Sequence, residues 1–156
     1  MSFTIRRVAP TADLDAVRRL FREYVDSLDF ALDFQDVEDE LAALPGPYAA
    51  PDGAILLATV DDRAVGVVAV KPLDTEGVCE MKRLYVSPTH RGRGIGRALG
   101  EAILDTAQTL GYDTMRLDTV ASMEPARALY HSLGFDERSA YYHNPLDDVV
   151  YMERSL

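Results

Sequence analysis

The sequence predicts a mixed β-sheet with helices on both faces, an α/β or α+β sandwich, and three observations carry that prediction. Short apolar runs alternate along the chain with segments whose apolar residues recur at helical spacing. Two of those runs follow each other across a tight polar turn, which marks a hairpin and makes the sheet more than a parallel array. The 156 residues hold no repeat, low-complexity tract or long linker, so residues 1–156 are expected to form a single domain with a core that needs neither metal nor disulfide.

The elements follow in order. Phe3 to Val8 reads as a first strand. Thr11 is suited to cap a helix with Asp13 and Asp15 in its first turn and an apolar stripe of Leu14, Val17, Phe21, Tyr24 and Leu28. Phe34, Val37, Leu41 and Leu44 mark a second helix that ends at Pro45-Gly46-Pro47. Ala54–Val60 and Ala64–Val70, joined by Asp61-Asp62-Arg63, form the hairpin. Glu76-Gly77 turns the chain into a strand that contains Glu80 and ends at Leu84-Tyr85-Val86. A helix opening at Gly94 carries Ile95, Leu99, Ile103 and Leu110, and Gly111 stops it. Thr114 to Thr119 alternates Met115 and Leu117 with Arg116 and Asp118. Pro125 opens a helix with Ala126, Leu129, Tyr130 and Leu133, closed by Gly134-Phe135. Two further strands, Asp136 to Tyr142 and Val149 to Glu153, complete the chain.

The chemistry concentrates between Glu80 and Gly96. After the Ser87-Pro88 break, Arg91-Gly92-Arg93-Gly94-Ile95-Gly96 opens a helix, where unpaired amides and the helix dipole favour an anion and glycines let the backbone approach it. Lys82, Arg83, Arg91, Arg93 and Arg97 fall in this stretch with no acid between Met81 and Arg97, in a chain whose net charge is -10. The pattern is not the dinucleotide G-x-G-x-x-G, because Arg97 or Leu99 stands at the third glycine. Nor is it the nucleoside-triphosphate loop, which lacks its Gly-Lys-Ser/Thr here. It reads as Arg-x-x-Gly-x-Gly at Arg91, Gly94 and Gly96.

Strand, phosphate turn, helix, strand, and a helix ending Leu129-Tyr130-His131-Ser132-Leu133-Gly134-Phe135 together resemble the GNAT superfamily of acetyl-coenzyme A-dependent N-acetyltransferases. The resemblance implies a mostly antiparallel mixed sheet. It also implies coenzyme contacts from Leu84, Val86, Arg91, Gly92, Arg93, Gly94, Gly96 and Arg97. An attacking amine with a pKa near ~10 must lose a proton, and Glu80 sits at the family's strand position for a general base, with a salt bridge to Lys82 or Arg83 as its structural alternative. The Val86 amide is the expected oxyanion donor. Tyr130 is the expected acid for the departing thiolate, in a direct transfer through a ternary complex. Tyr24, Phe34, Gln35 and Asn144 are the expected acceptor contacts. Many relatives carry Asn where Met123 stands, so a cofactor-arm contact is lost there or supplied by Ser122.

The acceptor is expected to be the primary amine of a small cationic or amino-acid-like molecule. Eleven acids from Glu23 to Asp62, uninterrupted by Lys or Arg, make either a solvated helix face or an acidic wall that draws such an amine in. A protein acetyltransferase acting on lysines or N-termini and a non-catalytic acyl-coenzyme A sensor are the other readings. The overall acidity argues against nucleic acid. No apolar run is long enough to span a membrane, and no signal peptide opens the chain, so a cytoplasmic location is expected. Cys79 stands alone, which fits a reducing compartment, and His90, His131 and His143 lack metal-ligand spacing, so no metal is expected. A homodimer stays open as an assembly.

Overall fold

The computed structural model describes residues 2–9, 11–28, 37–142 and 148–156. It runs β1 (Thr4–Arg7), α1 (Leu14–Ser27), α2 (Val37–Ala43), β2 (Ala54–Val60), β3 (Arg63–Pro72), β4 (Val78–Val86), α3 (Ile95–Leu110), β5 (Thr114–Val120), α4 (Glu124–Ser132), β6 (Asp136–Arg138) and β7 (Val149–Ser155). Seven strands form one sheet in the order β1-β2-β3-β4-β5-β7-β6, with β4 and β5 parallel and the other neighbours antiparallel. Helices cover both faces, as the alternation of strand and helix patterns predicts.

Side-chain alternation explains the two cores. Leu56, Ala58 and Val60 of β2 join Leu99, Ile103 and Phe135 on the α3 and α4 face, while Ile55 and Leu57 join Val17, Leu20 and Phe21 on the α1 and α2 face. Burial on both sides makes β2 and β3 read as nearly continuous apolar runs. Asp61 and Asp62, at φ 50° and 65°, form their two-residue turn, the geometry that matches strand twist.

Most boundaries shift by one or two residues, and two elements depart further from the sequence expectation. Asp13, not Thr11, occupies the N-cap of α1, and its side chain does not cap. Both its oxygens accept from the Arg6 guanidinium, at 2.7 and 2.8 Å, and one also accepts the Ala9 N–H, so the Asp13 carboxyl is held down at about 2. The strand expected over Asp136 to Tyr142 stops at Arg138. Beyond it the chain leaves the sheet, and the Tyr141 and Tyr142 hydroxyls donate to Glu80 and Asp118, each at 2.6 Å.

Two features of β4 set up the site. It pairs with β5 only at Val78↔Thr114, Cys79↔Met115 and Glu80↔Arg116, and past that point the strands part. It also bulges: Val67 faces Tyr85 while Ala69 faces Lys82, leaving Arg83 and Leu84 opposite Val68 alone. Arg83 takes φ +61° there, a conformation that costs a residue with a Cβ about 1–2 kcal/mol. Its side chain is buried and donates to both Glu40 oxygens at 3.1 and 3.2 Å, tying the bulge to α2.

Candidate active site

The expected cradle exists. Gly94 is the N-cap of α3 at φ +82°, and Gly92 precedes it at φ +80°; where a Cβ would stand on either, there is open space. Only glycine adopts this backbone at little cost, and the bare amides behind it face a cleft of about 630 Å³. Leu84, Tyr85, Val86, Arg91, Gly92, Gly94, Gly96, Ser122, Met123 and Tyr130 are among its walls, together with Tyr24 of α1. Arg91 donates from Nε to the Val86 carbonyl at 2.9 Å and lies over the Tyr85 ring, pinning the turn to the strand end. Arg93 and Arg97 are exposed and lie outside the lining; Arg97 donates to Ser132 at 2.8 Å and pairs with Glu101. Phe34, Gln35 and Asn144 lie outside the described residues.

The donors expected in the cleft face it. Ser87 N–H bonds to the Val65 carbonyl, so the neighbouring Val86 amide points away from β3, toward the gap left by β5. Tyr130 is buried, edge-on to Phe135, and its hydroxyl has no hydrogen-bond partner among the described residues. Burial, with the nearby Tyr24 hydroxyl and Asp118, pushes its pKa up, so it stays protonated and able to donate. Met123 occupies the cleft wall with its sulfur accepting from Thr119 at 3.7 Å.

Glu80 opens on the other face of the sheet. It lines a second pocket of about 430 Å³, together with Glu40, Lys71, Lys82, Arg83, Arg116, Tyr141 and Tyr142. Glu80 is buried; one oxygen accepts from Tyr141, and the other lies 3.4 Å from Lys82 and 3.7 Å from Lys71, so the salt-bridge alternative is realised. Lys82 bridges on to Asp118 at 3.4 Å. Burial acts to discharge Lys82, but Asp118 and Glu80 outweigh it and hold its pKa above the ordinary value. Of the acidic run, Glu40 reaches this pocket with its charge taken by Arg83, while Glu23 and Glu38 pair with Arg19 and Arg22.

Cleft and pocket meet at the bulge, where Arg83 lines one and Leu84 the other. Asp118, Tyr141, Tyr142 and Arg116 are site residues the sequence reading passed over. The Tyr141-Tyr142 pair was a visible signal; Asp118 and Arg116 became significant only once β5 was set beside β4. Among the described residues no helix is long and apolar enough to cross a membrane.

The sequence model of the acetyltransferase (GNAT) family matches residues 14–135. An uncharacterized N-acetyltransferase of Schizosaccharomyces pombe is 43% identical over 156 residues, covering 99% of this chain and 96% of its own. The human N-acetylaspartate synthetase is 31% identical over 133 residues, 85% of this chain but 42% of its own length, so this chain spans less than half of that protein. A Salmonella typhimurium structure solved with its cofactor acetyl-CoA shares the fold at a TM-score of 0.73 and 22% identity, over 99% of this chain and 94% of its own.

Proposed function

Because this chain belongs to the GNAT acetyltransferase family and is an acyltransferase, we propose that it moves an acetyl group from acetyl-coenzyme A to the primary amine of a small, amino-acid-like molecule. One observation carries the reading. The gap between β4 and β5 joins an anion-ready cleft on one face to a charged pocket on the other, with donors for the reaction on its rim.

The open space over Gly92 and Gly94 fits the coenzyme's diphosphate, with Gly96 and the Arg91 side chain beside it. Leu84 and Val86 would hold its arm through the main chain. The coenzyme supplies a thioester whose C–S bond breaks as the C–N bond to the amine forms. The Val86 amide is aimed to stabilise negative charge on the thioester oxygen. Tyr130 holds the proton for the leaving sulfur, and its unspent hydroxyl is what that role requires. Glu80 or Asp118, directly or through water, takes the proton from the amine; Glu80 lines the acceptor pocket, and Asp118, joined to it through Lys82, lies close enough to influence Tyr130. Tyr24 stands where the two ligands would meet, and we assign Phe34, Gln35 and Asn144 to the acceptor side on family resemblance. Residues 1–156 then act as one catalytic domain, in the cytoplasm.

The relatives named for N-acetylaspartate synthesis make an amino-acid product, which favours a small acceptor over a protein one. Thiol release from acetyl-coenzyme A by the purified protein tests the reading. Release that rises with added small amines is expected; release indifferent to every amine, or seen only with proteins, would overturn it.

A further inference from the structure

The acceptor pocket is not the uniformly acidic well that the run of Asp and Glu predicts. Four cationic and three acidic side chains line it. Most of these charges cancel locally: Lys71 and Lys82 lie against Glu80 and Asp118, and Arg83 against Glu40. Two groups remain: Asp74, the third lining acid, and a cluster based on β5. Arg116 of β5 donates from Nε to Oε1 of Glu153 at 2.8 Å, and Arg138 of β6 donates from Nη1 to that same oxygen at 2.7 Å. Two guanidinium charges share one carboxylate, a local surplus of one positive charge that Asp74 offsets in the pocket's total.

The geometry aims that surplus at the pocket. Both guanidiniums lie over the Tyr141 ring, 5.3 and 5.6 Å from its centre, and Tyr141 in turn donates to Glu80. Arg116 has five N–H donors and spends one on Glu153. The hydrogen bond it makes is through Nε, its terminal nitrogens bond to no described residue, and its side chain, 18% exposed, lines the pocket. A fork of donors open to the pocket matches the bidentate geometry of a carboxylate. Arg116 is also the register partner of Glu80, and Asp118 follows on the same face of β5 about 7 Å further along the strand.

We propose that Arg116, with Arg138 behind it, binds the carboxylate of the acceptor, so the acceptor is a free amino acid and not a polyamine or a peptide N-terminus. This rests on the acetyltransferase reading above and narrows it. An amino acid presents a carboxylate and an amine on one carbon, the two groups this wall is suited to meet. With its carboxylate on Arg116, its amine falls among the carboxylates of Glu80 and Asp118, which lead toward the gap.

Steady-state thiol release with glycine, alanine, aspartate and glutamate, with glycinamide and alaninamide, and with putrescine tests this. Each acid should exceed its own amide in kcat/KM by about tenfold or more, the scale of a charge-assisted bond. Arg116→Gln should raise KM for the acids by about tenfold and collapse the acid-to-amide ratio toward one, with Arg116→Lys recovering part of it. Arg138→Gln, which lies outside the pocket wall, should raise KM in the same direction because Glu153 then neutralises Arg116. Equal use of acid and amide, preference for putrescine, or unchanged KM in both variants would overturn the proposal. Calorimetric titration of aspartate or glutamate into the protein saturated with coenzyme A reads the site without turnover. If no amine elicits release but this binding is weakened by Arg116→Gln, the carboxylate site stands and the transferase reading falls; if no amino acid binds, the site falls.

Discussion

Gly94 and Gly111 cap the two ends of α3 with the same left-handed backbone, at φ +82° and +99°, and both look onto open space. Alanine at either position meets no atom and suffers only the backbone penalty, about 1–2 kcal/mol. For a chain of this size that is a fall in Tm of about 2–8 °C, nearly equal for the two variants. Coenzyme binding should separate them. The new methyl at position 94 stands in the mouth of the cradle and displaces one charge-assisted contact to an amide, worth about 1.5–3 kcal/mol, or roughly 10- to 150-fold in Kd. At position 111 it stands at the far end of the helix. Thermal denaturation and calorimetric titration with coenzyme A, run on Gly94→Ala and Gly111→Ala side by side, measure both quantities. Equal loss of affinity in the two, or wild-type affinity in Gly94→Ala, would refute the assignment of the diphosphate to this turn.

Other expectations follow from the same contacts. Tyr130→Phe should lower kcat by about 100-fold or more while leaving Tm and coenzyme affinity nearly unchanged, because the hydroxyl holds no structural bond; rate and melting curve are read together. Arg83→Leu leaves the half-buried Glu40 carboxylate with only Tyr48 as a bonding partner and should cost about 3 kcal/mol in urea denaturation. Adding Glu40→Gln should return much of that loss, and a double variant as unstable as the sum of the singles would contradict the ion-pair account. Asp13 titrates at about 2 in the folded state against 3.8 unfolded, so its contribution is complete above pH 4 and lost as pH falls toward 2. The stability gap between the wild type and Asp13→Asn should therefore be flat above pH 4 and narrow below it, as acid titration by circular dichroism would register.

What the sequence made legible is local. The run from Leu84 to Gly96 states its own geometry: a strand end, a Pro break, and Gly92 and Gly94 at positions the structure gives positive φ. Tyr130 was readable for the same reason, lying in a short motif on one helix. The charged pocket was not, because it is assembled from β3 and the turn after it, β4, β5, α2 and the segment after β6, whose proximity depends on pairings distant in the chain. The pairing of its charges was hidden for the same cause. The acids from Glu23 onward are unbroken by any base in sequence, yet Arg18, Arg19 and Arg22 precede them on α1 and Arg83 reaches Glu40 from β4. Thr11 yielded to Asp13 by a similar long reach, since Arg6 on β1 captures the carboxylate.

The three-residue seam between β4 and β5 gives this molecule an edge in the interior of its own sheet. Open strand edges on a protein's rim invite pairing with other chains, but this one is walled by helices on either side and admits only something narrow. Its idle amides would accept an extended ligand bearing amide groups as though it were one more strand. A guest of that kind laces together two half-sheets that the polypeptide leaves only partly joined, and the amides flanking the seam, those of Leu84 and Val86, are where hydrogen exchange should slow first when it arrives.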